Sequence, residues 1–125
     1  MSKLLNSTRL EHILEAAERV AQRMPDIPLV DFLADEDLQD IALRRFMVIG
    51  EAASHVSSEV KAQFPQVDWQ AARTMRNFVA HEYFRVDLTS VWDSINHIVP
   101  VLVIELPTII AQVKAGEQAS RAAGV

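Results

Sequence analysis

Apolar positions along this chain recur every three to four residues, the spacing that lines one face of a helix, and no strand-like alternation competes with it. Thr8-Arg9-Leu10-Glu11 has the form of a capping box, and Leu10, Ile13, Leu14, Ala17, Val20, Ala21 and Met24 follow at helical spacing up to Pro25. These predict a first amphipathic helix. After the Pro25 to Pro28 break and a short turn around Phe32, a stripe from Leu38 through Ile49 to Val60 predicts a long, central second helix that Pro65 ends. Asp68 is a candidate N-cap for a third helix, with Trp69, Ala72, Met75 and Val79 as its apolar positions, running toward His81. Asp87 is placed to cap a fourth, carrying Leu88, Val91, Trp92, Ile95, Val99 and Leu102, with Pro100 either kinking it or opening a new segment.

Four long helices with short connections bury their stripes most simply side by side, so the expected fold class is all-α, an antiparallel bundle of four to five helices. A chain of 125 residues suits one domain. We assign residues 1–115 to it and read residues 116–125, small and polar without periodicity, as a loosely ordered tail. The stretch from Ile98 to Ile110 is apolar on nearly every face. It falls short of the roughly 20 residues that span a bilayer, and Pro100, Glu105 and Pro107 interrupt it, so it reads as core or subunit interface. The surplus of apolar surface predicts a homodimer and no membrane association.

Composition narrows the chemistry. Without cysteine there is no disulfide, thiolate metal site or cysteine nucleophile, and Met1 to Thr8 lacks the apolar run of a signal peptide, so the expected compartment is the cytoplasm. A net charge of −5 argues against a protein that coats nucleic acid nonspecifically and leaves room for a local basic site. Three glycines offer little material for a phosphate loop, and no Glu-x-x-His pair suggests a di-iron bundle; neither cofactor nor metal is expected. His55 follows Glu51 by four residues, a common surface pair, and Trp69 and Trp92 fall in apolar stripes as packing residues. Arg45 shares the Ile41 and Ile49 stripe, where it requires a carboxylate, with Glu51 as one candidate, or an interface phosphate.

The segment from Arg73 to Arg85 concentrates the reactive groups. Arg73, Asn77 and His81 share one helical face, while Arg76 and Tyr83 line an adjacent one. For Arg76, His81 and Tyr83 to converge, the helix must end or distort near His81, or a second copy must meet it across a two-fold axis. The set suits RNA strand cleavage without a metal: an imidazole to move protons, an arginine to hold and neutralise the phosphate, and an amide, Asn77, to orient the imidazole. One histidine per segment cannot be both base and acid unless two chains contribute. Spacing alone does not decide, since a histidine near a helix end is commonly a cap and helical arginines a solvated face.

Arg76-Asn77-Phe78-Val79-Ala80-His81-Glu82-Tyr83 resembles the R-x4-H-x-Y signature of HEPN domains, with a polar residue after the arginine. Arg45 through Ala52, with its Ile49-Gly50-Glu51-Ala52, together with Trp69, Val86-Asp87 and Val91-Trp92, is similar to the HepT branch; the resemblance runs from about Leu38 to Leu106. It implies a helical homodimer with the motif at the subunit cleft and a metal-independent endoribonuclease leaving a cyclic phosphate. It further implies a toxin whose antitoxin is a small nucleotidyltransferase of the MntA type, transferring AMP to the tyrosine matched by Tyr83. The expected roles are then Arg76, His81 and Tyr83 as catalytic residues, with Asn77, Arg73, Glu51 and Arg45 in support, acting on RNA such as tRNA or mRNA. The alternatives are a non-catalytic subunit that binds a nucleotide or the nucleotidyltransferase, and a purely structural helical dimer.

Overall fold

The helical spacing is realised almost throughout, but the helices start and stop where tertiary contacts dictate. The computed structural model describes residues 4–80 and 86–124, apart from the side chains of 79 and 80. Among the described residues there are eight helices and no strand: α1 (Asn6–Arg23), α2 (Leu29–Ala34), α3 (Glu36–His55), α4 (Ser58–Gln63), α5 (Trp69–Thr74), α6 (Asn77–Ala80), α7 (Leu88–His97) and α8 (Val99–Ala122). The class is all-α, as expected. Helix α1 packs against both α3 and α8, and α5 and α6 lie on α3. Leu10, Ile13, Ala17 and Val20 of α1 are fully buried with Phe46 and Ile49 of α3 and Leu106 of α8. Each of these side chains other than Ala17 contributes about 1.5–3 kcal/mol of transfer free energy.

The first helix begins two residues before the expected capping box, with Leu5 as an N-cap that makes no side-chain bond. The box does not form because the first turn is satisfied from elsewhere in the chain. Ser7, buried, donates its hydroxyl to Glu117 Oε1 at 2.6 Å and its N–H to Glu117 Oε2 at 3.2 Å. Asn6 exchanges two bonds with Ser57: its amide donates to the hydroxyl at 3.1 Å and its carbonyl oxygen accepts the backbone N–H at 3.0 Å. A charged acceptor at two first-turn donors is also favoured by the helix dipole.

The expected second helix is two. α3 stops at His55, Val56 is extended, and Ser57 caps α4 by accepting the Val60 N–H at 3.3 Å. Val56 and Val60 are both buried, so the apolar stripe passes over the break without recording it. The turn around Phe32 is the short helix α2, with Phe32 fully buried.

Asp68 and Asp87 cap α5 and α7 as the sequence predicts, accepting the N–H of Ala71 at 3.0 Å and of Ser90 at 3.1 Å. The Ser90 hydroxyl, donating at 2.8 Å, is the main cause that holds the Asp87 carboxyl below its ordinary range. Of the two roles open to Pro100, it opens a new segment, standing in the first turn of α8 where no N–H is required.

Two expectations about the C-terminal region are corrected. Pro107 does not interrupt the apolar stretch: α8 runs unbroken for 24 residues, because Pro107 is exposed and the carbonyl its missing N–H leaves unpaired can be hydrated. By length and composition α8 could cross a membrane, yet Val99, Leu102, Leu106, Ile109 and Ile110 are buried in the fold. Residues 116–122, expected to be loose, continue this helix, where Glu117 reaches Ser7; just before them Lys114 donates to Glu11 at 3.0 Å.

Candidate active site

The expected third helix breaks at Met75 and Arg76, within its described part; its expected end near His81 lies outside the described residues. α5 ends at Thr74, and the Met75 and Phe78 N–H groups bond three residues back, to Ala72 and Met75, at 3.3 Å each. Met75 is buried beneath the joint, and the Phe78 ring packs on Phe46 of α3 with centroids 5.8 Å apart. The backbone of Arg76 comes so close to Gly50 that a Cβ there would stand 2.5 Å from Arg76 N, 2.7 Å from Arg76 Cβ and 3.0 Å from Arg73 O. Only glycine admits this contact, since two of those atoms are backbone. Gly50 in the middle of α3 therefore positions the head of the motif.

This approach sets the Arg76 side chain over the last turn of α3. Its Nη1 donates to Glu51 Oε2 at 3.1 Å and to Ser54 Oγ at 3.4 Å, and Glu51 Oε1 lies 3.1 Å from His55 Nε2. Glu51 thus bridges a guanidinium and an imidazole. The bond to His55 first, and then that to Arg76, hold its carboxyl below the ordinary range. Arg76 remains 41% exposed, so the guanidinium is held but reachable by a phosphate.

Of the supporting residues expected from sequence, Glu51 is brought to Arg76 and Arg45 is not. Glu51 follows Arg45 by six residues, which turns them about 240° apart on the helix; Arg45 instead lies half-buried facing α1. Arg73 is exposed and donates to Gln70 at 3.4 Å. Its charge, after the larger effect of burial, pushes the half-buried Lys61 amine below its ordinary range. Asn77 opens α6 and is exposed. His81 and Tyr83 lie outside the described residues.

Gly50, Ser54 and His55 have a place at this site that sequence reasoning did not give them. Their signals were a glycine inside an apolar helical stripe and two polar residues three and four positions after Glu51, on its own face. Both tryptophans are structural, as expected: Trp69 and Trp92 donate their indole N–H groups to the carbonyls of Phe64, at 2.9 Å, and Ile27, at 2.8 Å.

The chain is similar in sequence to known proteins. The family model "Ribonuclease HepT-like" matches residues 13–109, reaching upstream of the expected start into α1. The chain is 32% identical over 93 residues, 74% of its length and 84% of the relative's, to "Probable ribonuclease HepT" of Thermococcus cleftensis. It is 31% identical over 105 residues, 84% of its length and 94% of the relative's, to "Putative RNase TTE0752" of Caldanaerobacter subterraneus. No solved structure matches it. With the family model spanning most of the fold, including Gly50, Glu51 and the whole motif from Arg76 to Tyr83, the chain belongs to the HepT-like ribonucleases.

Proposed function

We propose that this ribonuclease is an endonuclease that cuts RNA without a metal, as the toxin of a pair whose antitoxin is a nucleotidyltransferase. The observation that carries the reading is the state of Arg76: a half-exposed guanidinium, fixed by the Gly50 contact and held by a carboxylate that has a second partner in His55. When an RNA phosphate arrives, Arg76 can exchange Glu51 for it while Glu51 keeps His55. Arg76 then neutralises the charge that grows on the phosphoryl oxygens.

In the proposed reaction the ribose 2′-oxygen attacks phosphorus and the bond to the 5′-oxygen breaks, leaving a 2′,3′-cyclic phosphate and a 5′-hydroxyl. One proton leaves the 2′-hydroxyl and one joins the 5′-oxygen. His81 takes one of these transfers, and in a homodimer the second copy's motif supplies the other. Tyr83 contacts the substrate, Asn77 steadies the imidazole and Arg73 adds positive charge. The antitoxin would join AMP to the Tyr83 oxygen with loss of pyrophosphate from ATP, placing a phosphate beside Arg76 and adenine bulk in the RNA path. The compartment proposed is the cytoplasm, with the RNA.

The test is incubation of wild-type and His81→Ala protein with total RNA in excess EDTA, reading cut sites and end chemistry. Cleavage by the wild type alone, leaving cyclic phosphates, is expected. Activity that EDTA abolishes would overturn the metal-free reading, and a Tyr83→Phe chain still fully neutralised by the antitoxin would overturn the AMP transfer.

A further inference from the structure

A groove runs between α1 and α3 and begins at the carboxylate that holds Arg76. Three adjoining hollows of about 300, 100 and 300 Å³ make it up. The first is lined by Arg9, His12, Met47, Val48 and Glu51; the second shares His12 and Val48 and adds Glu15 and Arg45; the third shares Arg45 and adds Arg19 and Arg23. From Arg9 to Arg23 along α1 is a span of about 21 Å.

Its charge is opposite to that of the chain. Four arginines line it against two carboxylates, in a protein whose net charge is −5. Both carboxylates are engaged, Glu15 with Arg19 at 3.5 Å and Glu51 with Arg76 and His55. Arg9, Arg23 and Arg45 have no carboxylate within 4.0 Å among the described residues, and the Arg9 Nε is buried without a hydrogen-bond partner there. Met47 and Val48 give the groove exposed apolar surface, at 48% and 38%, on which an unstacked base can rest. Guanidinium groups in a row with apolar ledges between them suit a strand of phosphates and splayed bases.

We propose that this groove binds single-stranded RNA and leads it to Arg76, its arginines taking successive phosphates on one side of the cleaved bond. The inference rests on the ribonuclease reading and adds the path of the substrate to it.

The test uses the full chain with His81→Ala, to prevent cutting, and measures binding of a labelled single-stranded oligoribonucleotide over a salt series. The further variants are Arg9→Gln with Arg45→Gln, and Arg44→Gln, an exposed arginine outside the groove, as control. The paired change is expected to weaken binding at least about tenfold. It should also lower the slope of log affinity against log salt by about 1.4, since two phosphate contacts are lost. The control should change neither. Equal affinity and slope for the paired variant and the control overturn the groove; if wild type still cuts RNA, the ribonuclease reading survives that result. Weaker binding accompanied by a change of oligomeric state in light scattering makes the groove a subunit interface and also overturns it. A wild-type chain that neither binds nor cuts RNA takes down both readings.

Discussion

The fold is tied together at two joints of opposite kind. Where α1 meets α8, the link is made by side chains: the Glu117 carboxylate spans to Ser7, and Lys114 to Glu11, over more than a hundred residues of sequence. Where α3 meets α5 and α6, the link is made by the absence of a side chain, with the Arg76 backbone seated on Gly50. The first joint stabilises the frame and stands apart from the chemistry. The second has no slack and carries the motif. Side-chain joints can lose a partner and stay in place, whereas a backbone contact on glycine must open if any atom is added, so the two should respond differently to substitution.

The largest effect is expected at the second joint. Gly50→Ala puts a methyl group against backbone atoms that cannot rotate away, and overpacking of this kind costs about 1–3 kcal/mol. More telling is the expected loss of cleavage, about a hundredfold, because the motif arginine shifts by a good fraction of an ångström. Initial rates well below the melting transition would separate the two effects. A Gly50→Ala chain that cuts at the wild-type rate would break the distinction drawn here.

At the first joint the expected effect is on stability alone. Glu117→Ala leaves the buried Ser7 hydroxyl and N–H without an acceptor, a cost of about 1–3 kcal/mol, which a denaturant titration would read. Glu117→Gln, which keeps one oxygen, should lose less, and cleavage at low temperature should persist in both.

The smallest effect concerns protons. Glu51 is depressed by His55 and Arg76 and is largely exposed, so the pair adds little stability. The sign follows from the direction of the shift: the contribution is present above the unfolded-state value and fades as pH falls through the lower folded-state one. A carbon-detected NMR titration should therefore place the Glu51 midpoint below that of a free glutamate, and His55→Ala should move it up. A midpoint at the free value in the parent chain would show that the bridge does not persist in solution.

The same contrast explains what could be read in the sequence. Helical stripes were legible because burial of Leu10, Phe46, Ile49 and Leu106 repeats at the helical period. Caps at Asp68 and Asp87 were legible because they act within three residues. The capping box at Thr8 misled because Ser7 finds its acceptor 110 residues away. The break at Met75 and Arg76 was hidden for a similar reason: neither proline nor glycine marks it in its own segment, and the glycine that matters lies on α3. The motif arginine and the Glu51–His55 pair were legible, while the bonds from Arg76 to Glu51 and Ser54 required the crossing of α3 by the motif to be seen.

The docking of α1 on α8 also has a kinetic side. Helical proteins fold fast when their contacts are local, and α1 meets α3 locally, but the side of α1 that faces α8 is covered only when a loop of about a hundred residues closes. Until then part of the apolar stripe of α1 offers a sticky ribbon to any neighbour. Joining the present ends through a short linker and opening the chain elsewhere would make that distant meeting a local one, and the permuted protein should reach its native state sooner with the same contacts.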